Sequence, residues 1–155
     1  MTKLFLSLHV LAVVIAIGPV TVAASMFPRA LRTAHGDPGD GDARSTLRLL
    51  HRICRVYGAV GIAVPVFGLA TAGSLGVLGS GWLITSILLT AAAAGLLVLR
   101  ILPGQDGALT AVQADDTVTA PAVAARLAML TGVFNLLWAV VTVLMIIRPG
   151  STTGA

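Results

Sequence analysis

Three groups of side chains in this sequence are of types that could do chemistry. The first is a lone histidine, His9, set in the run KLFLSLHVLAVVIAIGPVTVAASMF at residues 3–27, where it is the only ionisable side chain after Lys3. An imidazole in such surroundings can ligate a haem iron or a metal, or make a hydrogen bond between helices. The second group is His51 and Cys54, three residues apart and so on one face of a helix. With Met26 and Met129 they would form a soft donor set of the kind that copper(I) prefers, although methionine and cysteine are also ordinary packing residues. The third is Thr131, Asn135, Trp138 and Thr142, at spacings of four, three and four, which makes a polar stripe along one helix.

The elements that must position these groups follow from composition. The chain has 155 residues, of which 57% are hydrophobic and only 10% charged, and its mean hydropathy is +0.98. So few charges cannot cover a water-facing surface. Spanning a bilayer takes about 20 consecutive apolar residues, and four such stretches occur, at Leu4–Phe27, Val56–Leu78, Trp82–Ile101 and Leu127–Ile147. The expected fold is an all-α, four-helix transmembrane bundle forming one integral membrane domain over residues 1–155. Residues 1–25 could pass for a signal peptide, with TVAAS as the cleavage site, but the apolar run is longer than the usual ~7–15-residue signal core. An uncleaved first span is expected.

Positive charge sets the orientation. Arg29, Arg32, Arg44, Arg48, Arg52 and Arg55 flank the first connection (residues 28–55), and Arg100 and Arg126 flank the third (102–126), against Lys3 and Arg148 on the other side. The positive-inside rule places both connections in the cytoplasm and both termini outside. Within the first connection, HGDPGDGD reads as a surface turn with Asp42 as a helix N-cap, and ARSTLRLLHRICRVYG as an amphipathic helical lead-in to the second span. Its arginines are expected to reach anionic lipid headgroups rather than nucleic acid. Residues 102–126, with Pro103, Gly104, Asp106, Gly107, Asp115, Asp116 and Pro121, read as an irregular loop, with room for a short helix. Arginine outnumbers lysine nine to one, a bias that points to a GC-rich bacterium and hence to its cytoplasmic (inner) membrane.

Small residues are expected to bring helices together in lipid. Gly68, Ala72 and Gly76 on the second span and Ala91 and Gly95 on the third would form the contact of that hairpin. Asn135, near mid-membrane, should face a neighbouring helix, because an unpaired amide in hydrocarbon costs several kcal/mol. His9 lies roughly 7–8 Å inward of Leu4 at 1.5 Å per residue. The same depth could gather Ser7, Thr71, Ser74, Thr85, Ser86 and Thr142.

Several chemistries lack parts. No carboxylate lies within a span and no Ser-His-Asp set is visible, so no catalytic residue is expected. The single cysteine excludes an intrachain disulfide and a multi-cysteine zinc site. His51 is at the far end of its span and His35 is in a loop, so neither can join His9 on a haem; Met145 is the only sulfur within a span at His9's end. His9 is thus the one cofactor-binding candidate, for haem or copper, and no metal site is expected. Thr85, Ser86, Thr131, Asn135, Trp138 and Thr142 are the intramembrane polar candidates.

The segment LFLSLHVLAVVIAIGP, together with RLLHRICRVYG and the glycine-rich second span, resembles a family of small four-span bacterial integral membrane proteins of unknown function. That family is distantly similar to the copper-resistance protein D and HemJ-type protoporphyrinogen oxidase group, which shares an LH pair in the first span. The resemblance implies a four-helix fold and, at His9, a place beside a haem or porphyrin. The intramembrane lysine of HemJ-type proteins has no counterpart, since Lys3 is the only lysine. Two functions are carried forward. One is a non-enzymatic scaffold, accessory subunit or small transport component, as a homo-oligomer or within a larger membrane complex. The other is a haem-, porphyrin- or copper-handling protein with His9 as ligand.

The charge count makes a checkable statement. A reporter fused after Ala155 should give an extracytoplasmic signal, and a cytoplasmic signal would overturn the orientation.

Overall fold

Hydrocarbon offers no partner for backbone N–H and C=O groups, so an apolar chain of this kind must satisfy them within helices. The computed structural model, which describes residues 2–37, 39–114 and 120–150, is all-α, with no strand among those residues. Its elements are α1 (Thr2–Gly36), α2 (Gly41–Val60), α3 (Ala63–Leu75), α4 (Gly81–Leu96), a π-helical turn (Leu97–Ile101), α5 (Leu102–Gln113) and α6 (Ala120–Ile147). α2 runs into α3, and α4 through the π turn into α5. The result is four rods long and apolar enough to cross a membrane: Thr2–Gly36, Gly41–Leu75, Gly81–Gln113 and Pro121–Ile147.

The rods extend beyond the apolar stretches. α1 continues through Pro28 to Gly36. Residues 102–113, read from the sequence as mostly irregular, are helical; Asp115 and Asp116 lie outside the described residues. The π turn accounts for this. The Leu102 N–H bonds to the Leu97 carbonyl, five residues back, and this wider register admits Pro103 without ending the helix. α2 also starts earlier than expected. Its cap is Asp40, not Asp42: Asp40 Oδ1 accepts from the backbone N–H groups of Asp42 at 2.8 Å and Ala43 at 3.1 Å. Asp42 sits in the first turn instead, where its charge suits the helix dipole.

α1 is the helix on which most others rest. It packs against α2, α3 and α6 and touches α5, while α4 packs on α6. α3 and α4, although joined by the short turn at 76–80, scarcely meet. The small-residue contact expected between them is therefore not made, apart from Ala72, which packs on Trp82 and Leu83 of α4. Gly68 faces α1, where a methyl group in its place would lie 3.0 Å from His9 Cε1. Gly76 takes a left-handed φ of 69° and closes α3. Ala91 is exposed, and a methyl group at Gly95 would meet no neighbouring helix within 4 Å. In lipid, adjacency in sequence gives a hairpin no advantage, and α3 goes where a close approach and a hydrogen bond are on offer.

Three apolar clusters follow one another along the bundle. The largest, at the arginine-rich end, joins α1, α2, α5 and α6 around Phe27, Leu31, Leu47 and Leu127. The middle one gathers Val20, Ala93, Leu97, Ile101 and Phe134. A small one at the end bearing the termini holds Ala72, Trp82 and Leu83, with Met145 against it.

Replacing a capping aspartate leaves helix N–H groups without a partner, at a cost of about 1 kcal/mol. Asp40→Ala should accordingly lower stability by about that amount in detergent, whereas Asp42→Ala should cost only a few tenths. Thermal melts followed by circular dichroism would rank the two.

Candidate functional site

Because α3 leans on α1 and α4 on α6, the terminal end of the bundle is split into two helix pairs. Between them lies a cavity of about 680 Å³, within the size range of small-molecule sites. Its walls are mostly Val, Leu, Ile and Ala side chains, with the rings of Trp82 and Trp138. The polar residues on it are His9, Thr71, Thr90, Thr142 and Arg148.

His9 reaches the cavity from α1 with its ring held on two sides. Its Nδ1 lies 2.9 Å from the Val64 carbonyl oxygen of α3. Its ring rests on Gly68, so close that a methyl group there would come within 3.1 Å of Nδ1. A carbonyl only accepts, so Nδ1 carries the proton and donates it. Nε2 is then the unprotonated nitrogen, and among the described residues it has no hydrogen-bond partner.

The other polar groups are largely committed to their own helices. Thr71 Oγ1 donates to the Phe67 carbonyl and Thr142 Oγ1 to that of Trp138, both at 2.8 Å. Arg148 Nε donates to the Met145 carbonyl at 3.3 Å, and its guanidinium lies 5.7 Å from the Trp82 ring centroid. The indole N–H groups of Trp82 and Trp138 are enclosed and lack a partner. Of the residues expected at this depth, His9, Thr71 and Thr142 share the cavity. Thr85 and Ser86 bond back to Gly81 and Trp82, Ser7 to Lys3 and Ser74 to Thr71.

The α6 stripe divides in two. Thr131 and Asn135 turn to α1. Pro28 has no N–H, which leaves the Ala24 carbonyl without its helical donor, and Thr131 Oγ1 approaches that oxygen at 3.5 Å. Asn135 Nδ2 donates to Ser25 Oγ at 3.2 Å, while its Oδ1 is enclosed and unpaired. Trp138 and Thr142 belong to the cavity wall, with Trp138 edge-on to Phe134 at 6.4 Å.

At the arginine-rich end the soft donor set does not assemble. Met26 and Met129 are 52% and 63% exposed, and among the described residues no three His, Cys, Asp or Glu side chains gather as a metal site. His51 and Cys54 are linked instead by Gln105, which the sequence reading passed over. His51 Nδ1 is 3.2 Å from Gln105 Oε1, Gln105 Nε2 donates to Cys54 Sγ at 3.6 Å, and Cys54 in turn reaches the Val20 carbonyl at 4.0 Å. His51 Nε2 also lies 3.9 Å from Asp106 Oδ1. The signal for Gln105 was a long amide beside Pro103 and Gly104. It carried weight only once the π turn made that stretch helical and placed the side chain 1% exposed.

No family model, curated protein or solved structure matches this chain. Its class rests on the fold: a multi-pass membrane protein with four apolar rods and one large apolar cavity at the terminal end.

The α1–α6 joint can be measured apart from the cavity. In a double-mutant cycle of Ser25→Ala and Asn135→Leu, the coupling should fall at about 0.6–1.7 kcal/mol, the range for hydrogen bonds between membrane helices. Zero coupling would mean that the bond contributes nothing.

Proposed function

We propose that the protein is a non-enzymatic component of the bacterial cytoplasmic membrane, with its termini outside, which holds a largely apolar molecule drawn from the bilayer. It would serve as a small transport component or as an accessory subunit, alone or with further copies of itself. The observation that carries this reading is the 680 Å³ cavity between the two helix pairs. Its rim residues Val10, Val14, Leu69 and Ile146 are 47–74% exposed, so its mouth faces lipid, and a lipid-borne molecule can enter without crossing water. Arginines at the opposite end would seat the bundle against anionic headgroups.

A second reading places haem in the same cavity, and it rests on one observation. His9 and Met145, an imidazole and a thioether, both line the space, and such a pair is a known axial donor set for haem iron. The backbone bond at Nδ1 also orients the ring as ligating histidines are commonly oriented. There a haem would supply one-electron chemistry, and His9 would hold it. Copper fits less well, because the cavity offers only these two soft donors. An absorption spectrum of protein purified in mild detergent separates the readings. A Soret band lost in His9→Ala supports haem; a colourless protein in both forms removes it.

The leading reading has a built-in reporter. Trp82 and Trp138 are the only tryptophans, and both line the cavity. Titration with 1-bromododecane should quench their fluorescence saturably, to one equivalent per chain. Quenching that only rises in proportion to bromoalkane in the micelle would mean that the cavity takes up nothing.

A further inference from the structure

We infer that the molecule held in the cavity is a neutral amphiphile with a hydroxyl-type donor at its head, and that it donates a hydrogen bond to His9 Nε2. This rests on the cavity-binding reading above and adds the chemistry of the head group.

The argument starts from one proton. A neutral imidazole carries a single N–H. The Val64 carbonyl, 2.9 Å from Nδ1, can only accept, which fixes the proton on that nitrogen. Nε2 therefore presents a lone pair. Gly68 is what allows this pose: the ring lies against it at a distance that no side chain would permit, with Nε2 the ring atom farthest from it of the three nearest, at 3.8 Å from where a methyl group would stand. Among the described residues no carboxylate lines the cavity, and its ionisable side chains are His9 and Arg148.

Among the described residues no other side chain answers that lone pair, Thr90 and Arg148 of the lining included. The hydroxyl protons of Thr71 and Thr142 are given to backbone carbonyls of their own helices, and the indole N–H groups of Trp82 and Trp138 are enclosed away from the open space. An acceptor left unpaired in an apolar site is unfavourable, so a guest that brings a donor is preferred to one of the same shape without it. A ketone, ether or ester head brings only further acceptors. The lining also explains why the rest of the guest must be apolar, because it offers a chain or ring almost nothing but hydrocarbon and aromatic faces.

The test uses two guests that differ in one hydrogen bond. With the wild-type chain in detergent and its tryptophans quenched by 1-bromododecane, 1-tetradecanol and 1-methoxytetradecane are titrated in to displace the bromoalkane. The alcohol should displace it at a concentration about five- to tenfold lower, the worth of one net hydrogen bond. In His9→Leu the two guests should become equal, and in Gly68→Ala, where the ring is pushed from its seat, the advantage should shrink. If alcohol and ether act alike on the wild-type chain while quenching is saturable, the cavity reading stands and the role of Nε2 falls. If the advantage survives in His9→Leu, the donor is bound elsewhere and the inference falls as well. If the bromoalkane never quenches saturably, the cavity reading fails and takes this inference with it.

Discussion

Helices dissolved in hydrocarbon gain nothing by hiding apolar side chains from one another, so the shape of this bundle depends on where backbone and side-chain polar groups find partners. α1 supplies most of those places. Pro28 frees the Ala24 carbonyl for Thr131, Ser25 receives Asn135, and His9 reaches the Val64 carbonyl of α3. Each bond is worth little by itself, on the order of 1 kcal/mol. Together they choose which helix stands beside α1, and α4 is not among those chosen. It rests on α6. The cavity follows from that choice.

The fold was legible from the sequence because hydrophobic length is a one-dimensional property. Four apolar stretches of bilayer length leave few alternatives to four helices. That Asn135 must face protein was legible for a related reason: a lone amide in a span has a large cost and few ways to avoid it. Pairing of helices was not legible. Apart from the stripe on α6, α3, α4 and α6 carry no polar face, so periodicity says little about which face meets which neighbour, and helix rotation is set by packing partners far away in sequence. The small residues of α3 were read toward α4, but Gly68 clears space for His9 instead.

Gln105 and the cavity escaped for two different reasons. Gln105 depends on the π turn, a local change of register that Pro103 hides, because proline and glycine together signal a loop. Once the turn is in place, the amide can join His51 to Cys54 and tie α5 to α2. The cavity escaped because empty space has no residue of its own. It is made by two pairs of helices leaning apart, and among the expected polar residues His9, Thr71, Trp138 and Thr142 mark it.

The two ends of the molecule are packed differently. At the arginine-rich end α1, α2, α5 and α6 close around Phe27, Leu31 and Leu47, with the Gln105 links inside. The terminal end keeps only Ala72, Trp82 and Leu83 as a core, closed over by Met145 and by Arg148 on the Trp82 ring. Packing there is thin enough to leave room for a guest, and the turn at 76–80 joins the two pairs without pulling them together. On the proposed reading a guest would cover the apolar walls of the space, so occupancy and closure of this end would favour one another. A bundle closed tightly at both ends would be more stable and would have nowhere to put a ligand.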